Sequence, residues 1–219
     1  MTLVSIIITN YNRKDYLDRA IRSCLEQSTS RDIDIEVIVV DDASTDNSLR
    51  KLEMFKNSIK LIKHKKNLGV AVASNSGIKS SKGDFIIRLD ADDFMNKYSI
   101  QILTQILIEN QEYGFAYSDH YRVDEKGFKE KKTTLDDDEK LFEHGAGVMF
   151  RKKIFKKIGF YDENLKNCED YDFLLRVKKN YQGFRVPIPL YRYFIHGNNI
   201  SLKKDRDKYR KIVRKAHGI

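Results

Sequence analysis

The sequence predicts an α/β fold, with a mainly parallel central sheet covered by helices on both faces. Four strand-like runs in the first half are each followed by a helical pattern. Those runs are continuously apolar rather than alternating, as strands buried on both faces are. A chain of 219 residues, 41% hydrophobic and 33% charged, suits one folded unit with a substantial core.

The first run, "LVSIII" at 3–8, is β-branched and short enough to be a strand. In "YNRKDYLDRAIRSCLEQ" the residues Leu17, Ala20, Ile21, Cys24 and Leu25 then recur at the i, i+3, i+4, i+7, i+8 spacing of an amphipathic helix. "IEVIVV" at 35–40 precedes "DDASTDNS", where Ser44 or Thr45 suits a helix cap. "IKLIKH" with "GVAVASNSGIKS", and "DFIIRLD" with "SIQILTQILIEN", complete the series. Past residue 114 the order loosens into short strand-like pieces, "GFAYSD", "GVMF" and "GFRVP", so the second half reads as a smaller portion elaborated on the first. The polar 124–140 stretch suits a mobile loop or hairpin. The expected division is one domain over 1–219, with halves at 1–95 and 96–202 and a basic tail at 203–219.

Composition narrows the function classes. No apolar stretch reaches the ~18–20 residues of a membrane span, and "MTLVSIIITN" lacks the basic start and cleavage site of a signal peptide, so the cytoplasm is the expected compartment. Cys24 and Cys168 are too few for a disulfide framework, and Cys24 falls on the apolar helix face. Forty-one basic against thirty-two acidic residues give +9, which favours an anionic partner. No nucleic-acid motif accompanies that charge.

Ligands of open parallel sheets bind beyond the carboxyl ends of the strands. Three polar clusters fall there: "TNYN", Asp41-Asp42, and "DADD" at 90–93. In an extended segment Asp90 and Asp92 point to the same side. Their repulsion is relieved by a divalent cation such as Mg²⁺ or Mn²⁺, which also binds phosphate oxygens. There is no G-x-x-x-x-G-K-[ST] loop, and no G-x-G-x-x-G follows the first strand, which argues against P-loop nucleotidases and dinucleotide-binding dehydrogenases. Tyr11 can stack on a base and Asp42 can accept from a base N–H.

"VSIIITNYNRKDYLDRAIRSCLEQ", "EVIVVDDASTDNS", "NLGVAVASNSGI" and "GDFIIRLDADD", in that order, resemble the nucleotide-binding half of a family 2 glycosyltransferase with the GT-A fold. "GAGVMFRKKIFKKIGFYDENL" and "CEDYDFLLRV" extend the resemblance over most of 3–201. It implies an inverting transferase that moves a sugar from a nucleotide diphosphate donor, a UDP-sugar by preference, to an acceptor hydroxyl. It further implies that Thr9, Tyr11 and Asp42 surround the base, Asp90 faces the ribose and Asp92 binds Mn²⁺ or Mg²⁺. Asp93 is left between a supporting role and a helix cap.

Inversion needs a base on the face opposite the departing diphosphate. The resemblance places it at Asp170, in a helix whose Phe173, Leu174 and Val177 face the core, with Glu169 beside the acceptor. His196, in "YRYFIHGNNIS", matches a position that completes the metal shell or contacts the diphosphate, and Arg192 suits leaving-group charge. Ser74 stands where many relatives carry Arg, which leaves the donor's phosphate contacts open. Expected partners are the nucleotide sugar and a glycan or lipid-linked acceptor of polysaccharide or lipopolysaccharide synthesis. The basic tail is a candidate for peripheral contact with an anionic membrane at its inner face. The alternative is a catalytically inactive sugar-nucleotide or glycan-binding module.

Overall fold

The computed structural model describes residues 1–143, 145, 147–197, 199 and 205–219. The four expected strand-helix units are present as β1 (Thr2–Asn10), α1 (Lys14–Leu25), β2 (Ile33–Asp41), α2 (Ser48–Glu53), β3 (Lys60–Lys63), α3 (Val70–Ser80), β4 (Phe85–Asp90) and, after the two-residue β5 (Phe94–Met95), α4 (Ser99–Glu109). The second half contributes β6 (Tyr113–Val123), β7 (Lys129–Thr133), α5 (Asp138–Glu143), β8 (Met149–Arg151), α6 (Lys153–Ile158), α7 (Glu169–Lys178), β9 (Gln182–Phe194) and α8 (Arg206–His217).

All these strands join one sheet in the order β3-β2-β1-β4-β8-β6-β9-β5, with β7 also on β6. Pairing is parallel within β3-β2-β1-β4 and between β6 and β9. The short β8 runs antiparallel to both β4 and β6, so the two parallel groups point the same way. Their carboxyl ends therefore share one edge, where the cleft lies.

Strand pleating divides the core in two. Val4, Ile6 and Ile8, with Val37, Val39, Ile87 and Leu89, pack on one face with Leu17, Ile21 and Cys24 of α1 and Leu103 and Leu107 of α4. Ile7, Ile38, Val40 and Ile86 pack on the other with Ala71 and Ile78 of α3 and Phe155, Phe173, Leu174 and Val177 of α6 and α7. Arg88 and Asp90 share the parity of Ile86, so β4 turns both toward the side that carries α7.

One expectation changes, and another is narrowed to one of its two alternatives. Ser44 and Thr45 do not cap α2, whose cap position is the left-handed Asn47 (φ 68°); Ser44 instead accepts the Asn12 amide at 3.0 Å, joining two loops. The 124–140 stretch begins as a hairpin, with β7 antiparallel to β6 and the Phe128 amide donating to Asp124 Oδ1 at 2.8 Å. Residues 203 and 204 of the basic tail, and Asn198 of the Gly-Asn turn, lie outside the described residues.

Candidate active site

β1 and β2 end in register, Asn10 beside Asp41. Asn10 Nδ2 donates to Asp41 Oδ1 at 2.7 Å and to Ser44 Oγ at 3.0 Å, and the chain leaves both strands through left-handed residues, Asn12 (φ 54°) and Ala43 (φ 62°). Such backbone costs a non-glycine residue about 1 kcal/mol and turns both loops over the sheet edge. Asp42 is buried, and its carboxylate accepts the Leu68 amide (2.9 and 3.1 Å) and the Gly69 amide (2.8 Å) and meets His64 Nδ1 (2.6 Å). These contacts hold the 64–69 loop against the cleft, so a nucleotide base would have to share a carboxylate already engaged on both oxygens. Thr9 and the exposed Tyr11 line the same wall.

At the end of β4 the three carboxylates diverge. Asp90 keeps 33% of its side chain exposed, accepts from Thr9 Oγ1 at 3.4 Å and lies 3.6 Å from Arg88 Nε. Burial, with Asp92 and Asp170 nearby, pushes its carboxyl up despite Arg88. Asp92 Oδ2 accepts from Arg13 Nε at 2.9 Å and meets His196 Nε2 at 2.9 Å. Burial works to raise Asp92, yet His196 and Arg13 outweigh it and hold the carboxyl below its ordinary value. His196 is fixed by ring contacts at 5.2 Å with Tyr16 and 5.0 Å with Phe194. Asp93 turns away from the cleft: its oxygens accept the Tyr191 hydroxyl at 2.6 Å and the Phe194 amide at 2.8 Å, pinning β9 beneath the acidic edge.

The first turn of α7 forms another wall of the cleft. Cys168 enters it in a left-handed conformation (φ 63°), and Glu169 is drawn inward to Arg88, Nη1 to Oε1 2.8 Å, both side chains almost fully buried. Burial and neighbouring Asp170 push the Glu169 carboxyl up to about 7, against the pull of Arg88. Asp170, half-buried, lines the cleft. Gly145 explains how the backbone fits there, because a Cβ on it would lie 2.5 Å from Asp170 Cβ. Ser74 is fully buried and its hydroxyl donates to Val70 O, back into its own helix.

The cleft measures about 600 Å³ and brings together Thr9, Tyr11, Asp42, Asp90, Asp92, Glu169 and Asp170. His196 joins them through Asp92. Arg192 is not brought in: its Nη1 donates to Pro189 O at 2.6 Å and its guanidinium lies 5.1 Å from the Tyr121 ring, because the pleat of β9 turns it to the side away from the cleft. Sequence reasoning missed Arg13, Arg88, Lys166, Arg206 and Arg210, all of which line the cleft. Arg13 and Arg88 stood inside the quoted motifs, adjoining "TNYN" and "LDADD", and a count of cations beside the carboxylates would have found them.

Among the described residues, no group of three or more His, Cys, Asp or Glu is arranged to hold a metal ion. Asp92 still offers a carboxylate to a divalent ion that takes its remaining ligands from phosphate and water, the usual arrangement for Mg²⁺ at nucleotides; the His196 imidazole beside it is a nitrogen donor that this all-oxygen arrangement does not ordinarily use. Asp92 Oδ2 is shared between Arg13 and His196, so Arg13 is placed to neutralise charge at the same point.

A sheet of this topology, open at its carboxyl edge onto an acidic cleft, defines the GT-A class. S. aureus TarS 1–349 in complex with UDP-GlcNAc superposes with a TM-score of 0.81 at 20% identity, covering 98% of this chain and 66% of that one. The mannosyltransferase PcManGT from Pyrobaculum calidifontis, in complex with GDP-Man and Mn²⁺, gives 0.69 at 16%, covering 98% and 61%.

Within that class the chain belongs to glycosyltransferase family 2, whose model "Glycosyl transferase family 2" matches residues 5–159, with "Glycosyltransferase like family 2" matching 107–217. Relatives include the hyaluronan synthase of Pasteurella multocida, 28% identical over 92% of this chain and 21% of its own length. Another is the uncharacterized glycosyltransferase YwdF of Bacillus subtilis, 30% identical over 99% of this chain and 84% of its own. The chain thus spans about a fifth of the synthase. No helix among the described residues is long and apolar enough to cross a membrane.

Proposed function

We propose that the chain transfers a sugar, with inversion, from a nucleoside diphosphate donor to an acceptor hydroxyl in glycan synthesis, with Asp170 as the general base. The observation that carries this reading is the separation of charge within one cleft. Asp92, Arg13 and His196 cluster at the β4 end, while Asp170 lines the same cleft from a separate element, the first turn of α7. An in-line displacement needs that division, because the acceptor oxygen attacks from the side opposite the departing diphosphate. A structural neighbour solved with UDP-GlcNAc supports a uridine nucleotide, and one solved with GDP-Man and Mn²⁺ makes a guanosine nucleotide the competing donor.

Tyr11 would lie against the base and Thr9 and Asp90 beside the nucleoside, with the 64–69 loop held in place by Asp42. Asp92 and His196 would hold Mn²⁺ or Mg²⁺, and when bound that ion supplies charge stabilisation to the leaving diphosphate. Arg13 adds a fixed positive charge at the same carboxylate. Asp170 accepts the acceptor's proton through a carboxylate oxygen, and the buried Glu169–Arg88 pair holds the turn that carries it. The acceptor is a glycan or a lipid-linked sugar, and the exposed outer face of α8, with Lys208, Lys211 and Lys215, is available to an anionic membrane.

A screen of nucleotide sugars for hydrolysis and transfer, with and without Mn²⁺, tests the reading. Asp170→Asn should keep UDP binding and lower turnover by about 10²–10⁴-fold, the usual worth of a general base; normal turnover would remove Asp170 from that role. Asp92→Ala should abolish metal-dependent UDP binding in calorimetry, and unchanged affinity would take Asp92 out of the metal site. UDP binding without any turnover would favour the inactive-module alternative.

A further inference from the structure

Asp42 is engaged by its own chain before any base arrives. β2 and β3 run side by side with Asp41 opposite Lys63, so the next residue of each, Asp42 and His64, leave the sheet together. His64 Nδ1 lies 2.6 Å from Asp42 Oδ1. A carboxylate only accepts, so that nitrogen carries the hydrogen. His64 Nε2 meets Ser76 Oγ of α3 at 3.0 Å, which fixes the ring from its other side. The Leu68 amide is shared between the two carboxylate oxygens, at 2.9 and 3.1 Å, and the Gly69 amide donates to Oδ2 at 2.8 Å.

Little of this carboxylate is left for a base. A carboxylate has about four lone-pair sites. His64, Leu68 and Gly69 supply three donors, which leaves about one site, and the Asp42 side chain is only 5% exposed. What remains open lines the cleft with Leu68 and Gly69, beside Thr9 and Tyr11. Uracil offers a carboxylate one donor, its N3–H. Guanine offers two side by side, N1–H and an N2 hydrogen, and these need an open site on each oxygen. A guanine brought to Asp42 therefore leaves one donor unpaired in a confined place, which counts against it.

Resting on the transferase reading above, we propose that His64, acting through Asp42, selects the base of the donor: a base presenting a single ring N–H, such as uracil, is taken, and guanine is refused. His64 is a positioning residue, since it touches the carboxylate and not the base. Leu68 and Gly69 contribute backbone amides, which any non-proline residue there would supply. His64 is the side-chain donor of the three, so its identity sets how much of Asp42 stays open. Selection by donor number differs from selection by ring size. Hypoxanthine separates the two, because it is a purine that keeps the N1–H of guanine and lacks the N2 amino group.

The test is calorimetry of the full chain with UDP, inosine diphosphate (IDP) and GDP in the presence of Mg²⁺. Wild-type protein should bind IDP at least about tenfold more tightly than GDP, the scale of one buried donor left unpaired, and UDP at least as tightly as IDP. His64→Ala opens Oδ1 and should erase most of the IDP-to-GDP ratio. His64→Asn, whose Nδ2–H can stand where the ring Nδ1–H stood, should keep it. A loop merely loosened by the alanine variant would weaken all three nucleotides together and leave the ratio as it was. Equal binding of IDP and GDP by wild type, or exclusion of both, assigns the selection to ring size and overturns the proposal, and this comparison needs no variant to fold. An unchanged ratio in His64→Ala also overturns it. Failure of wild type to bind any of the three overturns the donor reading itself, a result separate from a failed ratio.

Discussion

The two walls of the cleft are built by opposite means. On the strand-end wall, polar residues sit at or just beyond strand ends: Thr9 and Asn10 on β1, Asp42 after β2, Asp90 and Asp92 on and after β4. Parallel pairing places Thr9 opposite Asp90 directly. On the helical wall, Asp170, Lys166, Arg206 and Arg210 come from a helix start, a loop and a second helix, held by side-chain packing. A strand register needs only backbone hydrogen bonds to be exact, whereas a helix-borne site depends on each contact beneath it.

Arg88 crosses between these regimes, since it belongs to β4 but is committed to Glu169, 81 residues further along the chain. Breaking that link should give the largest effect on stability. Arg88→Met leaves a nearly buried carboxyl unpaired and should lower the unfolding free energy by about 3–5 kcal/mol in urea denaturation. The double replacement Arg88→Met/Glu169→Met should recover most of it. A single-variant loss under about 1 kcal/mol would show that the walls stabilise independently.

Next in size is Gly145→Ala, which drives a methyl group into Asp170. Turnover should fall by about 10²-fold, the scale of a 1 Å misplacement of a reacting group, with UDP affinity retained. If turnover were unchanged, the helical wall would be more compliant than its packing indicates.

The Glu169 carboxyl gives a pH signature. Its folded value, about 7, lies above the ordinary 4.5, so the folded form binds this proton more tightly than the unfolded chain does. The associated stability is complete below pH 4.5 and is lost as pH rises through 7. Thermal unfolding of Glu169→Gln across this range should lack that decline, and parallel wild-type and variant curves would contradict it. The smallest expected change is His217→Ala, which removes the α8–α7 contact to Asp172 and should cost about 1 kcal/mol, read as a modest fall in unfolding temperature.

Legibility in the sequence follows the same divide. The strand-helix order and the core face of Phe173, Leu174 and Val177 follow from local periodicity, and the structure has both; Asp90 and Asp92 both line the cleft, but Asp92 lies in a turn beyond the end of β4, where strand alternation no longer sets its direction. Asp93 could not be resolved by such means, because its partners Tyr191 and Phe194 lie 98 and 101 residues away. Arg192 looked suited to phosphate charge, but the side to which a strand residue points is set by register, and β9 has irregular register against β6. Ser44 looked like a cap because its residue type favours that role, yet a neighbouring loop claims its hydroxyl.

By itself, then, the sequence determined the α/β class, the parallel strand units and the acidic edge at their ends, since hydrophobic period and spacing are properties of the chain read in order. Only the tertiary structure decided which acid supports β9, which arginine steadies Glu169, and that the basic tail turns two of its cations into the cleft. Those are contacts between residues far apart in the chain, and no local pattern encodes which distant partner will be brought into reach.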